Sequence, residues 1–202
     1  IGVASHLLLD WTNSYAIRWG LPFSSDWYTG DLLFIIDPYV WLVLGLAVAA
    51  PWLSRLVSSE IGASKTGGKG WAIFALVFFV LYLGLRWQMR DRALETLNAR
   101  LYDGRIPKRV MAVPAFQSPL HWTAIVELDN AYRVIPMSLL DDFDPTAGRQ
   151  YFKAETHPAM ELAAKDQAFR CLLDFSKAPL WRVTAVPEPE GTVRVELFDL
   201  RF

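Results

Sequence analysis

The sequence predicts a membrane α-helical part with two transmembrane helices, followed by a small soluble α+β domain with one antiparallel sheet and one helix packed on it. The chain of 202 residues is 53% hydrophobic and 20% charged, whereas soluble globular domains average about 45–50% apolar and about 25% charged residues. Residues 1–93 hold 7 of the 9 Trp and only 13 charged residues, while residues 94–202 hold 28 charged residues. The excess hydrophobicity therefore belongs to the first part, and the second part has the composition of a soluble domain.

Charge and cysteine content exclude several classes of protein. The formal net charge is −1, so there is no basic excess, and we expect no nucleic acid as partner. The single cysteine, Cys171, excludes an internal disulfide framework. The high apolar content excludes an intrinsically disordered chain.

Two uncharged stretches account for the predicted membrane helices. Residues 38–54 and 70–85 contain no Asp, Glu, Lys or Arg. A spanning helix needs about 20 apolar residues, within a range of about 17–25, and flanking Trp and Arg side chains lengthen such a helix at the interface. The sequence thus divides into residues 1–37 at the membrane face, residues 38–93 as two helices with their connecting loop, and residues 94–202 as the soluble domain. The alternative is a pair of buried helices in a soluble protein.

The basic residues predict the topology. The connecting loop, residues 55–69, holds three basic residues, and seven more follow the second stretch before residue 110. The positive-inside rule favours a cytoplasmic side for the soluble domain. If both stretches span, residues 1–37 and 94–202 lie on the same side of the membrane. Ile1 begins a stretch that resembles the middle of a helix, so we expect an N-terminal part of the protein to precede it.

A polar stripe precedes the first stretch. His6, Asp10 and Asn13 are four and three residues apart, a spacing that places them on one helix face. An imidazole and a carboxylate one turn apart can bind the same metal ion, or one can orient the other. The alternative is a His–Asp pair that only braces the helix.

Three further aspartates follow this stripe. Asp37 precedes Pro38, which is the pattern of an N-cap followed by a first helical residue. Asp31 lies between aromatic and aliphatic residues, an unusual place for a carboxylate without a role. Asp26 follows two serines and is expected in a turn or cap, with Arg18 available to pair with one of these carboxylates.

These residues carry a family resemblance. The stretch from His6-Leu-Leu-Leu-Asp10 through Asp31 to Asp37-Pro38 resembles the bacterial membrane-bound metal-dependent hydrolases, the YdjM/YbcI-type inner-membrane proteins. Pro119-Leu-His-Trp122 and the closing Asp199-Leu-Arg-Phe202 are similar to the soluble domain of that family. Its members carry an earlier motif, His-Arg-Gly-x-Thr-His-Ser, that does not occur in this sequence, so the chain would be the C-terminal portion of such a protein.

The resemblance implies a multi-pass protein of the bacterial inner membrane with a metal-dependent site at the membrane face. His6 and Asp10 match the metal-ligand positions, and Asp31 and Asp37 match acidic positions that act as ligands, as a catalytic general base or structurally. The metal would be a divalent ion, Zn²⁺, Mn²⁺ or Mg²⁺, and metal-activated water would attack an ester or phosphoester, for example of a lipid-linked substrate. Membrane lipids are the other expected partner.

Two other functions stay open. One is a non-enzymatic membrane protein whose soluble tail binds a partner or substrate, and the other is a transporter that uses intramembrane aspartates.

In the tail, a short apolar run predicts a strand over residues 110–115, and alternation around the turn residues Asp129 and Asn130 predicts a hairpin over residues 122–137. Another strand is expected near residues 149–154. We expect one helix over residues 157–175, capped by Thr156 and with Cys171 in its buried face, and then a second hairpin over residues 180–200. No catalytic pattern is evident in the tail, and His121 and His157 are expected to be structural or surface residues.

Overall fold

A computed structural model describes residues 2–61, 68–116, 118–187, 189 and 191–202. Three helices come first, α1 (Gly2–Thr12), α2 (Pro38–Ile61) and α3 (Lys69–Asn98). The tail, residues 94–202, then contributes six strands and two short helices. These are β1 (Arg109–Pro114), β2 (His121–Glu127), β3 (Ala131–Ser138), β4 (Arg149–Phe152), α4 (Pro158–Ala163), α5 (Gln167–Phe175), β5 (Pro179–Ala185) and β6 (Val193–Asp199).

Among the described residues, one helix is long and apolar enough to cross a membrane. This helix is α3, whereas the apolar stretch of α2, Pro38–Ser54, falls below the length used for a span. The prediction of two transmembrane helices is therefore not confirmed. The middle of the predicted connecting loop, residues 62–67, lies outside the described residues. The boundary predicted after residue 93 falls inside α3, which continues to Asn98.

Helices α2 and α3 form an antiparallel pair. At one end the Tyr82 hydroxyl donates a hydrogen bond of 3.0 Å to Asp37, directly before α2. Near the other end Pro51 lies beside Gly68, where an added Cβ would be 3.6 Å from the proline ring. Many large apolar side chains of both helices are exposed, for example Trp41, Leu42 and Leu81.

The tail contains a four-stranded antiparallel sheet in the order β1-β2-β3-β4. The predicted hairpin is confirmed, because β2 pairs with β3 and the Leu128 amide donates to the Ala131 carbonyl at 2.8 Å. Side chains alternate between the two faces of a strand. Trp122, Ala124 and Val126 of β2 pack with residues of α3 in one core cluster, while Ile125 belongs to a second cluster with Leu180 of β5.

Three expectations for the rest of the tail are wrong. The single helix expected over residues 157–175 is two helices, because Asp166 accepts a hydrogen bond from the Ala168 amide and caps α5 as a new helix. His157, rather than Thr156, caps α4 by accepting from the Ala159 amide. Cys171, expected in the core, is exposed.

The second predicted hairpin is confirmed as β5 and β6, which form a sheet of their own. Two residues of its connecting loop, 188 and 190, lie outside the described residues. The α+β architecture with antiparallel strands therefore holds, with two sheets and two short helices where one of each was expected.

The tail packs against the segment before α2. Arg201 donates to the Ser14 carbonyl at 2.8 Å, and the Lys177 ammonium donates to the Thr29 hydroxyl at 2.7 Å. Arg86 of α3 lies between the two parts: its Nε donates to the Leu32 carbonyl at 2.6 Å and its Nη1 donates to the Pro119 carbonyl. These contacts hold residues 2–37 and the tail at the same end of the α2–α3 pair.

Candidate functional site

The predicted metal-ligand pair lies on the surface of α1. His6 Nε2 and Asp10 Oδ2 are 3.2 Å apart, with side chains 75% and 43% exposed. Their spacing of four residues places them one turn apart on the same face of the helix. The predicted shared face is therefore correct for His6 and Asp10, whose side chains are both exposed. The helix ends at Thr12, so Asn13, which was expected on the same face, lies just beyond it.

Asp10 also borders a groove next to α2, which we call the membrane-face groove. The groove has a volume of about 240 Å³, and its polar lining comes from Asp10, Thr12, Asn13 and Asp37. Its apolar lining includes Leu33 and Trp41. Of the four predicted site residues, the structure thus brings Asp10 and Asp37 to one groove, with His6 at 3.2 Å from Asp10.

Asp37 is engaged in structural hydrogen bonds. Its Oδ1 accepts from the amides of Tyr39 and Val40 at 3.0 and 3.1 Å, which confirms the predicted N-cap of α2. Its Oδ2 accepts from the Tyr82 hydroxyl of α3. Both carboxylate oxygens are therefore occupied, and Asp37 joins the start of α2 to α3.

Asp31 is buried in the contact between the N-terminal segment and the tail. Its backbone has a positive φ of 49°, a conformation that Asp tolerates better than most residues. Its Oδ2 accepts from the Thr29 hydroxyl at 2.7 Å, and that hydroxyl in turn accepts from Lys177. Its Oδ1 is buried and has no hydrogen-bond partner within the described residues.

The pKa of Lys177 reflects this burial. Desolvation lowers the pKa below its usual value, and the negative charge of Asp31 acts in the opposite direction. Lys177 and Asp31 thus form a half-buried pair of opposite charge that is joined through Thr29.

The donor set fits a metal ion only in part. Imidazole and carboxylate are ordinary ligands of divalent ions, and His6 and Asp10 supply one of each. Within the described ranges, no three His, Cys, Asp or Glu side chains come close enough to hold one ion. The structure therefore offers a two-ligand surface pair and does not gather Asp31 and Asp37 around it.

The remaining predicted polar residues have local partners. Asp26 accepts from the Ser24 hydroxyl at 2.7 Å, which fits the expected turn. Arg18 does not form the expected ion pair among the described residues; its guanidinium lies over the Trp27 ring at 4.3 Å.

Sequence reasoning missed the buried cations that join the parts of the molecule. Arg86 lies over the Trp122 ring at 4.1 Å, and Arg201 contacts Asp199 at 2.6 Å with both side chains almost fully buried. Burial acts to raise the pKa of Asp199, but the hydrogen bonds and the charge of Arg201 outweigh it and hold the pKa below its ordinary value. The sequence shows that Arg86 and Arg201 lie next to apolar residues, but it does not show which groups they contact.

Comparison with known proteins gives one positive result. Residues 1–93 match the family model described as YdjM inner membrane protein. No curated protein and no solved structure matches the chain. The match covers the described helices α1 and α2 and most of α3, but it does not extend to the similarity expected in the tail or bear on metal-dependent hydrolysis. By its first 93 residues, the chain is similar to the YdjM inner membrane proteins, and this match supports an inner-membrane location.

Proposed function

We propose that α2 and α3 cross the membrane together as a helical hairpin, which holds the His6–Asp10 pair and the tail at one membrane face. Support comes from the antiparallel pairing. Gly68 lies beside Pro51, and Tyr82 contacts Asp37. If α3 crosses a membrane between Gly68 and Tyr82, α2 therefore crosses the same membrane between Pro51 and Asp37. From residue 37 to residue 54, a helix rising 1.5 Å per residue covers about 26 Å, close to the hydrocarbon thickness of a bilayer of about 30 Å.

The exposed Cys171 provides a test of this topology. Three proteins with one thiol each are compared: the wild type, which has only Cys171, and the variants Asn13→Cys and Gly68→Cys, each made in a Cys171→Ser background. A membrane-impermeant maleimide applied to intact spheroplasts should label Gly68→Cys alone, since the tail and residue 13 face the cytoplasm. Equal labelling of all three thiols from one side would contradict the hairpin.

At this face, the proposed activity is that of a membrane-bound metal-dependent hydrolase, with His6 and Asp10 as two of the metal ligands. The observation that carries this proposal is the exposed pair at 3.2 Å beside the membrane-face groove. A divalent ion held there, Zn²⁺, Mn²⁺ or Mg²⁺, would supply a bound water of lowered pKa. Asn13 would orient a polar substrate group in the groove, and the apolar lining would hold its hydrocarbon part. An ester or phosphoester of a lipid-linked substrate fits this lining.

Metal binding can be measured on the full chain in detergent. We expect Zn²⁺ or Mn²⁺ to bind the wild type and to bind a His6→Ala, Asp10→Ala double variant at least tenfold more weakly, which corresponds to about 1.4 kcal/mol. Asp26→Ala is the matched control, because it removes an exposed carboxylate of the same segment that has only a local partner. Equal affinity of wild type and double variant would refute the ligand assignment.

A second candidate is a non-enzymatic membrane protein whose tail binds a partner or substrate. The structural hydrogen bonds of Asp37 favour it, because a carboxylate with both oxygens occupied is not free to act as a general base. A transporter gains no support, since Asp10, Asp31 and Asp37 all precede the first turn of α2. Wild-type metal binding without hydrolysis of ester and phosphoester substrates would favour the second candidate.

A further inference from the structure

A second cavity lies where the N-terminal segment meets the tail. This seam cavity has a volume of about 380 Å³, at the lower end of the range of about 300–1,000 Å³ for small-molecule sites. Residues on one side belong to the segment between α1 and α2, and residues on the other side belong to β1 and to the two residues Arg201 and Phe202 after β6. Its lining includes Leu33, Phe34, Ile35, Val113, Pro114 and Phe202.

The polar groups of the seam cavity carry little net charge. Arg201 lines it, but this guanidinium is neutralised by Asp199 at 2.6 Å. Ser14 also lines it, and its buried hydroxyl has no hydrogen-bond partner among the residues that the structure describes. An unpaired hydroxyl in an apolar environment has an unfavourable free energy. The lining therefore suits an uncharged hydrocarbon group with one oxygen acceptor near Ser14.

The rim of the cavity is continuous with the exposed apolar surface of α2. Ile35 and Ile36 are 53% and 56% exposed directly before Asp37. Trp41 and Leu42 continue that exposed apolar surface one turn into the helix. A contiguous apolar surface of this kind marks an interaction site for a membrane or another protein, and here it leads from the proposed bilayer position to the cavity.

We propose that the seam cavity binds one hydrocarbon chain of a membrane lipid, with the Ser14 hydroxyl donating a hydrogen bond to its ester oxygen. This inference rests on the proposed placement of the α2–α3 hairpin. Because the cavity lies between the tail and the N-terminal segment, a bound chain would contact both parts. Leu33–Ile35 line both the seam cavity and the membrane-face groove. A lipid chain held in the cavity would therefore place its ester region on the side of Asp10.

The experiment uses the full chain in vesicles of phosphatidylethanolamine and phosphatidylglycerol that contain a phospholipid with a photoreactive diazirine at the end of one acyl chain. After irradiation, labelled peptides are mapped by mass spectrometry. We expect label on exposed residues of α3 such as Leu81 and, in addition, on Val113 and Pro114 of the tail. Val113→Phe should fill the cavity and abolish the tail label while keeping the α3 label, and Ala185→Phe adds the same ring at an exposed strand position as control.

The possible results separate the two proposals. Label on α3 with none on Val113 or Pro114 of the wild type would overturn lipid binding in the cavity and leave the hairpin intact. Absence of label on α3 would overturn the hairpin and the lipid source together. The wild-type map decides on its own if Val113→Phe fails to fold.

Discussion

Replacing Asp199 by Asn should destabilise the tail by about 3–5 kcal/mol, the usual cost of removing one partner of a buried ion pair. Asp199 accepts hydrogen bonds from Arg201 Nε at 2.9 Å and Nη2 at 2.6 Å, and from the Arg201 amide at 3.1 Å. The two side chains are only 3% and 1% exposed. Asn keeps the shape of the side chain but leaves the Arg201 charge buried and unpaired.

Urea unfolding of the full chain in detergent measures this loss, with hydrogen exchange at the β2 amides reporting on the tail. With a slope of about 2 kcal/mol/M, the midpoint should fall by about 2 M. Glu196→Gln is the matched control on the same strand, because Glu196 faces Arg182 at 3.9 Å in an exposed pair that contributes at most about 1 kcal/mol. Equal midpoints for the two variants would refute the assignment of Asp199 as the partner of a buried charge.

The same pair predicts an acid dependence. Because the pKa of Asp199 is lower in the folded tail than its ordinary value, the stabilisation is complete above the ordinary Asp pKa of about 3.9 and is lost as the pH falls through the folded pKa. Wild-type stability should therefore drop more steeply below pH 4 than that of Asp199→Asn. Parallel acid profiles of the two proteins would contradict this account.

Three more substitutions test the contacts that organise the fold. Asp37→Ala should cost about 1 kcal/mol through the lost N-cap and speed hydrogen exchange in the first turn of α2, and unchanged exchange there would argue against the cap. Gly148→Ala should lower the melting temperature, because the φ of Gly148 is +83° and the new Cβ would lie 2.1 Å from the Val134 carbonyl oxygen. Gly104→Ala is the control, since Gly104 has a φ of +76° but open space around it, and it should lower the melting temperature less. Arg86→Lys keeps the charge but loses the forked donors, so limited proteolysis should separate the tail from the helices faster, and an unchanged cleavage rate would contradict the role of Arg86.

Local sequence patterns correctly predicted the elements that are determined by a few neighbouring residues. The hairpin of β2 and β3 follows from alternation around Asp129 and Asn130, and the start of α2 follows from Asp37-Pro38. The break between α4 and α5 escaped, because the apolar spacing continues through it and only Asp166 marks the new start. Cys171 was placed in the core wrongly, because spacing on a short helix does not show which face is covered.

The site was harder to predict than the elements. The His6–Asp10 pair lies within one helix turn, so spacing was enough to bring it together. Asp37 and Arg86 depend on partners far along the chain, Tyr82 and the Leu32 carbonyl. Asp31 is joined through the neighbouring Thr29 to Lys177 of the tail. A single sequence gives no information on the distance between residues that are far apart along the chain. Asp31 and Asp37, which were predicted to share one site with His6 and Asp10, have separate structural partners.

The hydrogen bond between Arg201 and the Ser14 carbonyl joins residues that are 187 positions apart. A ribosome adding about 5–20 residues per second needs roughly 10–40 s to synthesise that interval. During this time the segment around Ser14 and Thr29 has none of its tail partners. The N-terminal segment therefore cannot dock against Lys177 and Arg201 until both sheets of the tail have been synthesised.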